Sequence, residues 1–173
     1  NAEYNDSNIS SMSLGGLTYG VSPLEMAAAY SMIGNNGVYI SPTFYTKVVD
    51  SNGNTVLTPK QEKVRVFSEE NAYITRSITS EPVKSGGTAT YCAISGIDVA
   101  AKTGTTDGEK DRWLCGFTEH YSAATWFGYD KNRESVKGFW KNPAGSIWSN
   151  VMKNRKTIFN IFSDIIISQK NSP

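Results

Sequence analysis

Asp98-Val99-Ala100-Ala101-Lys102-Thr103-Gly104-Thr105 is followed by Asp107-Gly108, then Arg112-Trp113-Leu114-Cys115-Gly116-Phe117-Thr118, then Ser122-Ala123-Ala124-Thr125-Trp126-Phe127-Gly128-Tyr129. Each run is short and rich in β-branched or aromatic residues, and each is bounded by a turn signal. Trp113, Cys115 and Phe117 alternate with Arg112, Leu114 and Gly116, the period of two that a pleated strand imposes. Asp107-Gly108 turns the chain once, and His120-Tyr121 lies near a second turn. Connections this short join neighbouring antiparallel strands, so the stretch predicts a three-stranded meander.

Upstream, Ser22-Pro23-Leu24-Glu25 predicts a helix start. Ser22 caps, Pro23 suits the first helical position and Glu25 closes a capping box. Leu24, Ala27, Ala28 and Tyr30 follow, and Gly34 and Gly37 supply the stop. Thr43 to Val49, the Asn52-Gly53 turn and Thr55-Val56-Leu57 predict a hairpin. A second helix is expected from Ser68, with Glu69 and Glu70 in its first turn, ending before Pro82. Ser85-Gly86-Gly87-Thr88 reads as a loop. A last helix is expected from about Pro143, its core-facing stripe running Ile147, Trp148, Val151, Met152, Ile158, Phe159, Phe162, Ile165 and Ile166. The alternative for that stripe, a helix lying on a membrane surface, is opposed by the scarcity of basic residues along it. The order predicts an α/β-class fold of α+β type, an antiparallel sheet with helices packed on it.

The chain has 173 residues with 39% hydrophobic and 19% charged, enough apolar material for one core. A net charge of +1 gives no bulk attraction to nucleic acid or anionic lipid. No apolar run approaches the ~20 residues that span a bilayer, and no signal peptide opens the chain. Cys92 and Cys115 lack C-x-x-C spacing, and His120 with them does not make a zinc site, so no metal or cofactor is expected. The two thiols read as free core residues, a disulfide being the alternative.

The chemistry concentrates in Lys102-Thr103-Gly104-Thr105-Thr106. A lysine ammonium can hold a carboxylate, and the Thr103 and Thr105 hydroxyls can add hydrogen bonds to it. Gly104 removes a side chain where another backbone can approach. An edge strand here can accept an extended peptide, with the Thr105 N–H aimed at a developing oxyanion. Strand alternation, however, puts Lys102 and Thr103 on opposite faces, so both serve one ligand only if the strand lies at the rim of a groove or is locally twisted. The triplet Lys-Thr-Gly alone occurs by chance in roughly one chain of this length in twenty-five. Trp113 reads either as a groove-lining residue or as a core aromatic. His120 reads as a turn residue, Glu69, Glu70 and Glu81 as solvated helix-end charges, and Asp111 as a weak surface partner of Arg112 or Lys110.

The run Leu14-Gly15-Gly16-Leu17-Thr18-Tyr19-Gly20-Val21-Ser22-Pro23-Leu24-Glu25-Met26-Ala27-Ala28-Ala29-Tyr30 closely resembles class A penicillin-binding proteins, the bifunctional peptidoglycan synthases. So do Asn36-Gly37-Val38-Tyr39-Ile40 before Pro42, the loop Ser85-Gly86-Gly87-Thr88-Ala89, the Lys102 to Thr106 strand, Asp111-Arg112-Trp113 and Gly128-Tyr129-Asp130, all in the family's order. The resemblance covers about residues 14 to 155. It implies the C-terminal part of a penicillin-binding transpeptidase domain over 1–155, of the fold shared with serine β-lactamases, and leaves 156–173 as a helical tail.

That family crosslinks peptidoglycan stem peptides through a serine acyl-enzyme, and β-lactams imitate the D-Ala-D-Ala end. By position, Lys102 would support proton transfer through the serine of a Ser-x-Asn motif. Thr103 and Thr105 would hold the carboxylate, and the Thr105 N–H would be one oxyanion donor. Gly104, Thr106 and Trp113 would complete the substrate-binding wall. Neither Ser-x-x-Lys nor Ser-x-Asn occurs in the sequence. The resemblance therefore implies an upstream piece of the same domain as partner, an inactive chain without it, and a location at the extracytoplasmic face of the bacterial membrane through an anchor outside this chain. A serine β-lactamase or a non-catalytic penicillin-binding sensor domain are the alternatives, and the Leu14 to Tyr30 run opposes both.

Overall fold

A computed structural model describes residues 9–130 and 134–154 of the chain. The expected tail over 156–173, and with it the stripe from Ile158 onward, lies outside those residues. A short helix α1 (Ile9–Ser13) precedes α2 (Pro23–Gly34). Next come β1 (Val38–Ile40), β2 (Val48–Val49), β3 (Thr55–Leu57), β4 (Lys63–Arg65) and α3 (Glu69–Ser80). The chain then runs through β5 (Ala100–Thr105), β6 (Asp111–Phe117), β7 (Ser122–Gly128) and α4 (Pro143–Lys153).

The caps form as the residue types dictate. The Ser22 N–H donates to Glu25 Oε2 at 2.7 Å while Ser22 Oγ accepts the Glu25 N–H at 3.3 Å. The Ser22 N–H, and the Ser22 hydroxyl that donates to the same oxygen at 2.8 Å, lower the pKa of the Glu25 carboxyl. At the far end of α2 the Gly37 N–H reaches back to the Met32 carbonyl at 2.9 Å. Gly37 takes φ +83° against the Phe67 backbone, a conformation and a space that both require glycine. Ser68 caps α3 by accepting the Asn71 N–H at 3.2 Å.

The small strands depart from expectation. Only Val48–Val49 of the predicted Thr43–Val49 strand pairs, with Thr55–Leu57. The Thr43 hydroxyl instead donates to the Tyr45 carbonyl at 2.9 Å, a local turn that competes with the ladder. The turn itself is as read, with Asp50 Oδ1 accepting the Asn52 and Asn54 N–H groups at 2.9 and 2.8 Å. A second antiparallel pair, β1 with β4, was not foreseen.

The meander appears as predicted, in the order β5-β6-β7 and antiparallel throughout. Its register pairs Ala101 with Gly116, Thr103 with Leu114 and Thr105 with Arg112. These residues therefore share one face with Ala123, Thr125 and Phe127. Lys102, Gly104, Cys115, Trp113 and Phe117 share the other face.

Each face is covered by a helix. On the Lys102 face α2 packs down, its Gly34 against the Phe117 ring, and Ser122 Oγ donates to the Ala27 carbonyl at 2.7 Å. Burial there pushes the Cys115 thiol and the Tyr30 phenol each up to about 12. On the opposite face α4 presents Trp148 and Met152 to Leu114, Ala101, Val99 and Cys92. The Trp148 indole N–H donates to the Ala123 carbonyl at 3.0 Å, and Thr125 Oγ1 to the Ala144 carbonyl at 2.6 Å. Ile147 and Val151, expected on the core stripe, are instead 46% and 42% exposed, because the buried stripe follows Ala144, Trp148 and Met152. Cys92 and Cys115 are free buried thiols on opposite sides of the sheet, and no disulfide joins them. Among the described residues no helix is long and apolar enough to cross a membrane.

Candidate functional site

β5 is the edge strand of its sheet, so among the described residues its outer backbone has no strand partner. The geometry of Lys102 to Thr106 follows from that edge and from alternation. Lys102 is exposed, and its ammonium donates to the Thr103 carbonyl at 2.8 Å. Thr103 Oγ1 lies on the other face, 3.1 Å from Thr88 Oγ1. Thr105 lies on the same face as Thr103, its Oγ1 accepting from Arg112 Nη1 at 3.3 Å. The two hydroxyls are thus aligned on one side of the rim and the lysine on the other.

The Ser85–Thr88 loop is held against this rim. A side chain at Gly87 would collide with the Pro82 carbonyl, so glycine there lets the loop fold back on the Glu81–Val83 turn. That placement presents Thr88 to Thr103. Thr88 is a site neighbour that reading the sequence residue by residue missed. The glycine pair is the signal that marks its loop.

Gly104 has a packing role within the sheet. A Cβ at Gly104 would stand 3.0 Å from the Trp113 Cβ, so glycine there lets β5 and β6 pack closely at Trp113. Trp113 is half-buried on the Lys102 face beside Trp126, its cross-strand neighbour. Its backbone carbonyl accepts from Asn142 Nδ2 at 2.9 Å, which ties the cap of α4 to the site strand.

The far end of β5 is fastened by Asp111, and not through a surface ion pair as expected. Thr106 Oγ1 donates to Asp111 Oδ2 at 3.0 Å and accepts the Asp111 N–H at 2.9 Å. The Trp126 indole donates to Asp111 Oδ1 at 2.7 Å. One carboxylate therefore staples β5, β6 and β7 beside Thr105. Arg112 pairs with Glu109, at 3.2 Å, and not with Asp111.

The remaining expectations resolve at the surface. His120 is exposed in the turn that Thr118 closes, its N–H 3.4 Å from Thr118 Oγ1. Glu69 pairs with Arg65 at 3.3 Å and Glu81 with Lys84 at 2.6 Å, all exposed pairs of small energetic weight. Among the described residues no three His, Cys, Asp or Glu side chains gather as metal ligands. A groove of about 980 Å³ runs between α3, where Tyr73 and Arg76 line it, and the start of β5 at Ala100. It does not include residues 102–106, which form one wall of a margin.

The family of the penicillin-binding protein transpeptidase domain matches residues 1–153. The chain is 42% identical over 151 residues to penicillin-binding protein 1A of Clostridium botulinum, covering 87% of this chain and 18% of that protein. It is 40% identical over 147 residues to penicillin-binding protein 1A of Clostridium acetobutylicum, covering 85% of this chain and 18% of the relative. It thus spans about a fifth (18%) of the length of these curated relatives. The crystal structure of the D,D-transpeptidase domain of a peptidoglycan glycosyltransferase from Eggerthella lenta superposes with a TM-score of 0.66 at 26% identity, covering 82% of this chain and 33% of that one. Penicillin-binding protein 1A of Haemophilus influenzae shares the fold, with a TM-score of 0.65 at 23% identity over 88% of this chain and 28% of its own.

Proposed function

The chain belongs to the penicillin-binding protein transpeptidase domain family, and from that premise we propose that it supplies the Lys102–Thr106 wall of a serine D,D-transpeptidase site. The observation that carries the reading is the free edge of β5, with Thr103 and Thr105 aligned on one face and Lys102 on the other. An extended stem peptide ending in D-Ala-D-Ala lies along that edge as an added strand. Its terminal carboxylate accepts hydrogen bonds from the two threonine hydroxyls. The Thr105 N–H polarises the carbonyl under attack.

The nucleophile comes from an upstream piece carrying Ser-x-x-Lys and Ser-x-Asn, neither of which occurs in these 173 residues. The serine oxygen attacks the penultimate D-Ala carbonyl, the C–N bond to the terminal D-Ala breaks, and that amine takes the proton. An amine of a second stem peptide then displaces the serine to form the crosslink. Lys102 assists the proton transfers from its own face of the strand. The outer edge of β7, unpaired among the described residues, offers the upstream piece a strand to dock on. A β-lactam enters the same margin through its own carboxylate. The assembled domain works at the extracytoplasmic face of the membrane, held by an anchor outside this chain.

Fluorescent penicillin tests this reading. Mixing this chain with an upstream segment that bears the serine is expected to give labelling on the upstream segment, with none on either polypeptide alone. Labelling of this chain by itself, or a silent mixture whose two polypeptides co-purify, contradicts it.

A further inference from the structure

Thr103 and Thr105 gather on the face opposite Lys102, so a carboxylate held by their hydroxyls would lack the lysine charge. A different cation stands on their face. Arg112 is the register partner of Thr105, and its Nη1 is 3.3 Å from Thr105 Oγ1. We propose that Arg112, rather than Lys102, supplies the positive charge that pairs with the ligand carboxylate at Thr103 and Thr105. The proposal rests on the transpeptidase reading and refines how that site recognises its substrate.

Three observations carry it. First, the arginine is fixed in place. Its side chain is only 17% exposed, and Glu109 Oε2 holds Nη2 at 3.2 Å. Second, it has donors in reserve. A guanidinium has five N–H groups in a rigid fork, while Glu109 and Thr105 engage one nitrogen each, and the buried Nε has no partner among the described residues. A buried donor left unpaired is costly unless something arrives to satisfy it or its neighbours rearrange around a ligand. Third, the ion pair with Glu109 does not neutralise the fork. Glu109 is 44% exposed, so its attraction is screened by water, and a bidentate ligand carboxylate competes with it on favourable terms. Lys102, fully on the other face and bonded to the Thr103 carbonyl, remains free for proton transfer.

The test uses the chain assembled with its serine-bearing segment. Acylation rates are measured with a fluorescent penicillin and with the methyl ester of the same compound, for the unsubstituted pair and for Arg112→Gln and Arg112→Lys. Loss of a charge-assisted bond to carboxylate is expected to slow the free acid by about tenfold to a hundredfold in Arg112→Gln. The ester is expected to change by less than about threefold, and Arg112→Lys to recover part of the loss on the free acid. An equal loss on acid and ester means a packing role and overturns the proposal. An unchanged rate on the acid overturns it too. If the unsubstituted pair labels with neither compound, the transpeptidase reading itself fails and takes this inference with it.

Discussion

Lys102→Ala is expected to slow acylation of the partner serine by about 10²–10⁴-fold, the range associated with losing a positioned proton-transfer group. The substitution is clean because Lys102 is exposed and, among the described residues, its ammonium bonds only to the neighbouring Thr103 carbonyl. Stability should accordingly change by no more than about 0.5 kcal/mol. Labelling rate with fluorescent penicillin and chemical denaturation of the same assembled protein separate the two effects. The loss should appear on a penicillin and on its methyl ester alike if, as proposed, Lys102 acts on the proton and not on the carboxylate. That is the opposite of the pattern expected for Arg112. A rate within threefold of the unsubstituted protein would remove Lys102 from the chemistry.

Trp148→Ala is expected to be the most destabilising single truncation, by about 3–5 kcal/mol. The indole is 0% exposed and packs in the cluster that joins α4 to β5, β6 and the Thr90–Cys92 turn. Its removal opens a cavity and also leaves the Ala123 carbonyl without the donor now at 3.0 Å. Ile147→Ala, one residue earlier on the same helix, is expected to cost less than about 1 kcal/mol, because Ile147 is exposed. Urea unfolding of both variants checks the contrast. Similar costs at the two positions would mean that the described packing of α4 is wrong by a rotation of about 100° about its axis.

The sheet was legible because its signals are local. Trp113, Cys115 and Phe117 alternate, Asp107-Gly108 and the Thr118–Tyr121 turn set short connections, and register follows from them. The helices beginning at Ser22 and Ser68 were legible for the same reason, since a cap is decided within four residues. What escaped depends on distant partners. The β1–β4 pair joins Tyr39 to Val64 across a long excursion, and nothing in either segment names the other. Thr43 to Tyr45 carries strand-forming residues, yet the Thr43 hydroxyl finds a nearer bond than a ladder partner.

At the candidate site, Lys102, Thr103 and Thr105 stood out as residue types able to hold a carboxylate, and the family resemblance gave them their expected roles. Alternation already warned that they divide between two faces. Thr88, fifteen residues before Thr103, is brought to it only by the loop folding on Pro82. Asp111 was misread because its charge suggested an ion partner. The structure gives it a hydroxyl and an indole, groups that sequence proximity to Lys110 and Arg112 concealed. The closeness of Gly104 to the Trp113 Cβ escaped because residue type alone carries no register between those two residues.

A crystal structure of the assembled domain acylated by a penicillin tests the placement of the ligand most directly. The drug should lie along the outer margin of β5, its carboxylate oxygens about 3 Å from both Thr103 Oγ1 and Thr105 Oγ1. A carboxylate bound on the Lys102 face, with both threonine hydroxyls left to solvent, would contradict the account.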